Sequence, residues 1–244
     1  MAGILTTRIA STADGEPGRQ ASGVTEQRSM SFSEIDLDKW ERREAFGFFS
    51  GISDPFYMVS FRMDVTDLYD YTKASGLSFY HGMIWACTGA VNDTEAFRVM
   101  IRDGRLVRTD RRDPSFTVLK EGEEQFRIVT MDHIGDIDGF CREAARRSEE
   151  QKSFIDMSKE SDSLIYLSCL PWIEMTAITN ERDRNAPGAA DDSIPRIAWG
   201  KYTEEGGRKK LTISVEANHR FIDGVHIGRF AENLEDRMKS LHRQ

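Results

Sequence analysis

The chain has 244 residues, a formal net charge of −8 and a hydrophobic content of 39%. That length suits one large domain or two small ones, and no apolar run reaches the ~20 residues of a membrane span. The acidic balance argues against nucleic acid or an anionic membrane as partner. Cys87, Cys141 and Cys169 are too widely spaced for a metal or disulfide framework, which fits a reducing, cytoplasmic setting.

Residues 1–30 hold little to bury and read as an unstructured leader or tag, with Met30 a candidate native start and the folded domain running over 31–244. Asp38 to Phe49 reads as the first helix and Phe56 to Met63 as a strand. A helix follows over Thr66 to Ala74, with Thr66 as its N-cap and Gly76 beyond its end. Ser78 to Val91 is apolar enough for a buried helix. Arg98 to Arg108 is a hairpin turning at Asp103-Gly104. Strands are expected over Asp113 to Leu119 and Gln125 to Thr130, and an amphipathic helix with a charged outer face over Ile137 to Glu150. Leu164 to Trp172 is a further strand. Trp199 to Tyr202 and Leu211 to Asn218 form a hairpin around Glu204 to Gly207. Leu211, Ile213, Val215 and Ala217 share one strand face, with Thr212, Ser214 and Glu216 on the other. Ile227, Phe230, Ala231, Leu234, Met238 and Leu241 then follow the spacing of a buried helix face, with Asp223 in the N-cap position.

His219 therefore stands where a strand ends, and Asp223 where a helix begins. A neutral imidazole takes a proton from a hydroxyl or thiol, and an aspartate four residues on orients it or braces the loop. Ser168, His219 and Asp223 also allow a hydrolase triad, although no Gly-x-Ser-x-Gly elbow is present. Cys169 points to the opposite strand face from Ser168 and reads as a core thiol. His81, His133, His226 and His242 have no partners at metal-ligand spacing, so each reads as structural or exposed and no metal is expected. No Walker or dinucleotide glycine pattern appears, which argues against a nucleoside triphosphate or NAD. Lys201 and Arg208-Lys209-Lys210 are the basic residues open to a phosphate-bearing ligand, the latter reading better as a solvated hairpin tip.

The stretch Asn218-His-Arg-Phe-Ile-Asp-Gly-Val-His-Ile-Gly-Arg-Phe230 resembles the signature of the chloramphenicol acetyltransferase family. Trp40-x-Arg42-x-Glu44-x-Phe46, Phe97 to Gly104, Asp113-Pro-x-Phe-Thr-Val118, Ser168-Cys-Leu-Pro-Trp172 and Gly200-Lys-Tyr202 match it in the same order. The resemblance runs from Phe32 to the C-terminus. It implies a two-layer α/β sandwich with a mixed sheet packed by helices, assembled as a homotrimer with active sites at subunit interfaces. It makes His219 the general base, Ser168 the oxyanion donor, and Arg42–Asp223 a buried, structural salt bridge. Tyr80, Trp172, Lys201 and Tyr202 would border the coenzyme. Phe46, Phe48, Phe49, Phe126 and Ile128 would line the acceptor pocket. Acetyl-CoA is implied as a co-substrate that is not permanently bound, and a small hydroxyl-bearing acceptor, chloramphenicol, as its partner.

Four positions depart from the family pattern. Ser78 replaces a lysine, Ala198 a threonine and Phe49 a tyrosine, and the polar segment 180–192 replaces an apolar run. These departures keep in play a more polar hydroxyl acceptor, or a trimeric binding homologue without turnover. A dihydrolipoyl acyltransferase core also carries His-x-x-x-Asp-Gly, but the Ser168 to Trp172 segment argues against it.

Overall fold

The computed structural model of the chain describes residues 30–133 and 135–241, so the expected leader up to residue 29 and His242 fall outside it. In chain order the elements are β1 (Phe32–Glu34), α1 (Arg43–Ser50), β2 (Phe56–Asp64), α2 (Thr66–Ala74), α3 (Phe79–Asp93), β3 (Val99–Arg102), β4 (Arg105–Thr109), β5 (Asp113–Val118) and β6 (Arg127–Thr130). They continue with α4 (Ile137–Glu150), β7 (Leu164–Leu170), β8 (Arg196–Gly200), β9 (Thr203–Glu205), β10 (Arg208–Asn218) and α5 (Gly224–Ser240).

Three expectations need correcting. The helix over Asp38 to Phe49 is broken. A 3-10 turn at Leu37–Lys39 ends at Trp40, whose backbone is extended (φ −73, ψ 128), and α1 starts only at Arg43. The break sets the Trp40 ring edge-to-face against Phe46 at 5.8 Å, a contact that a continuous helix would have to form in another geometry. Thr66 is the first residue of α2 and not its cap. Asp64, at the end of β2, accepts from the Thr66 amide at 3.0 Å and its hydroxyl at 2.7 Å. The hairpin arm over Trp199 to Tyr202 is split into β8 and β9, both antiparallel to β10, because the Lys201 amide leaves the ladder and donates to the Ile173 carbonyl at 2.8 Å. Asp103 (φ 51) and Gly104 (φ 73) make the expected β3–β4 turn, both in the left-handed region that such tight hairpins need.

Among the described residues, a seven-stranded mixed sheet runs β2-β10-β8-β7-β5-β6, with β9 on the end of β10, and a small sheet runs β1-β4-β3. Strands β5, β7 and β8 are parallel, and the remaining pairs are antiparallel. One face carries the core. Leu211, Ile213, Val215 and Ala217 of β10 share one buried core with Ile227, Phe230 and Leu234 of α5, and α3 packs against α2, α4 and α5. This gives the two layers, sheet and helices.

The other face is polar. The register sets Ser60, Ser214, Ala198 and Ser168 in one row, and Met58, Glu216, Arg196, Tyr166, Ser115 and Thr130 in the next. Ser214 and Glu216, on the side of β10 away from the core, are nonetheless buried. The segment after Trp172 lies across them. The Ile178 amide donates to Ser214 Oγ at 3.1 Å and the Asn180 amide to Glu216 Oε2 at 2.9 Å.

Two histidines carry an acid liability. His81 lies buried against Phe116 at 6.0 Å, and His133 Nε2 meets the Trp85 carbonyl at 3.0 Å. Burial pushes both imidazoles down to about 4. The folded state thus favours neutral rings, while the unfolded chain takes up protons near pH 6.5. Stability from these rings is full above pH 6.5 and is lost as pH falls from there through about 4, by about 3 kcal/mol each. Urea unfolding at about pH 7 and about pH 4.5 should show that decline, with a shallower one in His133→Gln.

Candidate functional site

His219 follows directly on β10, its amide held by the Pro55 carbonyl at 2.7 Å. Its ring lies between two aromatic faces, Phe49 at 3.9 Å and Tyr57 at 4.3 Å, both stacked. The Tyr57 hydroxyl donates to the Ile222 carbonyl at 3.2 Å, and burial, reinforced by the Asp223 charge, pushes its phenol up to about 12. The imidazole plane is therefore fixed by packing against neutral groups.

Asp223 caps α5. Its Oδ1 accepts from the Gly224 amide at 2.7 Å and lies 3.4 Å from His219 Nε2. Its own amide donates to His226 Nδ1 at 2.9 Å, completing a capping box. The Gly224 amide, aided by His219 and Arg42, holds the Asp223 carboxyl below the usual carboxylate range. Arg42, just ahead of α1, reaches Asp223 Oδ2 and the His219 carbonyl, each at 3.3 Å. It thereby ties the helix cap to the strand end. The pair is not fully buried as expected: the Asp223 side chain is 46% exposed in the single chain, because it sits on the open end of α5. Removing Arg42 should therefore cost less than a buried pair. Arg42→Ala is expected to lower unfolding stability by about 1–2 kcal/mol and to reduce activity by loosening the His219 loop. An unchanged urea midpoint would show that the contact stabilises nothing.

Ser168 sits elsewhere, on the polar face of β7, its Oγ 3.2 Å from Thr117 Oγ1. It opens on a cavity of about 1360 Å³ whose lining includes Tyr80, Phe126, Ile128 and Trp172. The Tyr80 hydroxyl donates to the Thr117 carbonyl at 2.5 Å, and burial raises its phenol. Trp172 is 68% exposed. Cys169, on the core side, has its thiol pushed up to about 12 by burial, which makes it a poor nucleophile.

The expected site residues thus fall into two groups. His219, Asp223, Arg42 and Phe49 surround the end of β10. Phe46 is buried beneath them against Trp40 and Phe221, and Phe48 is exposed. Ser168, Tyr80, Trp172, Phe126 and Ile128 line the cavity, and none of the first group does. Lys201 and Tyr202 join neither group. Lys201 is exposed, and Tyr202 packs edge-to-face on Tyr69 and Phe79. Arg208, Lys209 and Lys210 are paired with Asp64, Glu204 and Glu205 respectively. Ser78 caps α3 through the His81 amide. Among the described residues, no group of three or more His, Cys, Asp or Glu could hold a metal ion, and no helix is long and apolar enough to cross a membrane.

Two features went unread in the sequence. One is Tyr57, the second slab against His219. The other is a charge network under the segment after Trp172. Arg182 pairs with Asp192 and, at 2.5 Å, with Glu216, while Arg196 Nη2 lies 3.2 Å from Asp192 and Nη1 3.8 Å from Glu216. The side chains of Arg182 and Arg196 are 4% and 6% exposed. The alternation Tyr166, Ser168 and Arg196, Ala198 was the available signal, since it places Tyr166 and Arg196 on the serine's own sheet face.

Residues 30–235 match the family model for chloramphenicol acetyltransferase. Chloramphenicol acetyltransferase 3 of Escherichia coli is 29% identical over 210 residues, covering 85% of this chain and 97% of that protein. The chloramphenicol acetyltransferase of Vibrio anguillarum is 24% identical over 216 residues, covering 87% and 96%. A solved chloramphenicol acetyltransferase superposes with a TM-score of 0.76 at 26% identity, over 85% of this chain and all of that one. A dihydrolipoamide acetyltransferase of Azotobacter vinelandii shares the fold alone, at a TM-score of 0.61 and 18% identity, over 82% of this chain and 87% of that one. The fold, with a histidine loop and a serine-lined cavity on one sheet, is that of an acyltransferase. The chain belongs to the chloramphenicol acetyltransferase family, and its activity is acetyl transfer.

Proposed function

We propose that the chain forms a homotrimer and moves the acetyl group of acetyl-CoA to a hydroxyl of a small acceptor, with chloramphenicol as the reference acceptor. The observation that carries this reading is the separation just described. A base without a substrate cavity and a cavity without a base, both in one chain, fit a site in which His219 of one subunit faces Ser168 of the next. The exposed Phe48, Trp172 and Ile173 are the apolar surface such an interface would cover.

In that site the His219 imidazole takes the acceptor's hydroxyl proton as its oxygen attacks the thioester carbon. The carbonyl oxygen becomes an oxyanion, which the Ser168 hydroxyl stabilises, a contact worth about 3–4 kcal/mol in the transition state. Collapse breaks the carbon–sulfur bond. The imidazolium returns its proton to the thiolate, leaving an ester and free CoA, with no acyl-enzyme. Phe49 and Tyr57 fix the imidazole plane, and Arg42 with Asp223 fix the loop that carries it. Tyr80 and Trp172 border the coenzyme, and Phe126 and Ile128 the acceptor.

A more polar acceptor is a second reading, favoured by Arg196 and Tyr166 in the cavity lining. The first test is CoA release from acetyl-CoA, followed with a thiol reagent, with and without chloramphenicol. Acceptor-dependent release supports the transfer reading. Acetyl-CoA binding without release for any hydroxyl acceptor would leave a binding homologue.

A further inference from the structure

We infer that the acceptor preferred by this cavity carries a protonated amine, recognised by Glu160 beside Tyr166. The inference rests on the transfer reading above for placing the acceptor in the Ser168 cavity. Tyr166 and Ser168 lie two residues apart on one face of β7, so roughly 7 Å separates their positions. Arg196 pairs with Tyr166 as Ala198 pairs with Ser168. The floor next to the oxyanion donor is thus Tyr166 and Arg196, where an aromatic, acylated drug would call for apolar contacts.

The charge count on that floor decides what it attracts. Arg196 and Arg182 are matched by Asp192 and Glu216, two cations against two carboxylates. Arg182 is further held over the Phe56 ring at 3.9 Å. That network is neutral overall, so Arg196 has no net charge to offer an anion, although Arg196 Nη1 and Arg182 Nη2 have no hydrogen-bond partner among the described residues. Glu160 stands outside it. Its Oε2 takes the Tyr166 hydroxyl at 2.8 Å, while its Oε1 is buried and has no hydrogen-bond partner among the described residues. Glu181, also in the cavity lining, has no ion-pair partner among the described residues either. Burial raises the Glu160 carboxyl above the usual carboxylate range, so its Oε1 is in want of a donor, and a cationic one favours the charged form most. An ammonium group supplies both the charge and the donor. A carboxylate-bearing acceptor would be repelled, and an apolar acyl tail would leave Glu160 uncompensated.

Chloramphenicol and the amino-diol left when its dichloroacetyl group is removed make a matched pair, since both keep the same hydroxyls. Their binding to the full chain in the presence of CoA is measured by calorimetry. The amino-diol should bind about 10- to 100-fold more tightly, and Glu160→Gln, which still accepts from Tyr166, should remove most of that preference. Equal or tighter binding of chloramphenicol overturns the inference, as does a preference that survives in Glu160→Gln. CoA release is followed in parallel. Amine-selective binding without release overturns the transfer reading and leaves the selectivity standing. Release with chloramphenicol but no amine preference overturns the inference alone. No binding of either compound overturns the inference, and CoA release with other hydroxyl acceptors then decides the transfer reading.

Discussion

His219→Ala lowers the rate of acetyl transfer by about two to four orders of magnitude, with acetyl-CoA binding retained. The size follows from the role proposed for His219: without a base, the acceptor oxygen would attack as a neutral hydroxyl. The ring's surroundings make the experiment clean. Phe49 and Tyr57 can close toward the vacated space, while the loop keeps its hold through Arg42, the Pro55 carbonyl and the Asp223 cap. The loss should therefore appear in kcat, with a small change in unfolding midpoint. Steady-state CoA release beside urea unfolding measures both. Transfer at the parent rate would remove His219 from the mechanism.

Ser168→Ala should lower kcat by about two to three orders of magnitude if its hydroxyl is the oxyanion donor of the proposed site. Combined with the first variant, it tests where the site lies. Each homogeneous variant is inactive for a different reason. If every site takes His219 from one subunit and Ser168 from another, unfolding and refolding the two together at equal amounts restores roughly a quarter of all sites, every one of them in a mixed trimer. If both residues act within one subunit, no mixture recovers activity. The recovered rate in the refolded mixture, against each variant refolded alone, decides between the two.

Much of this architecture is written in local pattern. The two-residue alternation of Leu211 to Ala217 and the helical spacing from Ile227 onward gave β10 and α5, and the amphipathic run gave α4 at its observed bounds. His219 and Asp223 were legible because a strand, a turn and a helix follow each other within a few residues. What was illegible depends on distance in space. Alternation says that Ser214 and Glu216 share a face, but not that the segment after Trp172 covers it. The same segment read as a lost apolar wall. The buried charge of its Arg182 is in fact neutralised by Glu216, 34 positions away, and by Asp192, 10 positions away. Trp40 ended a helix that its neighbours favoured, because its ring packs on Phe46 from an extended backbone. That His219 and Ser168 are apart within one chain follows from sheet order, which no local pattern encodes.

The ion-paired set of Arg182, Glu216, Arg196 and Asp192 also bears on how this cavity floor can change over generations. Losing any one member strands a buried charge at about 3–5 kcal/mol, a large share of the stability of an ordinary domain. Replacing the whole set by well-packed apolar residues is close to neutral. A lineage moving between this floor and an apolar one must therefore cross unstable intermediates or change several positions at once. Acceptor preference in such a protein would drift little by single substitutions and shift in jumps.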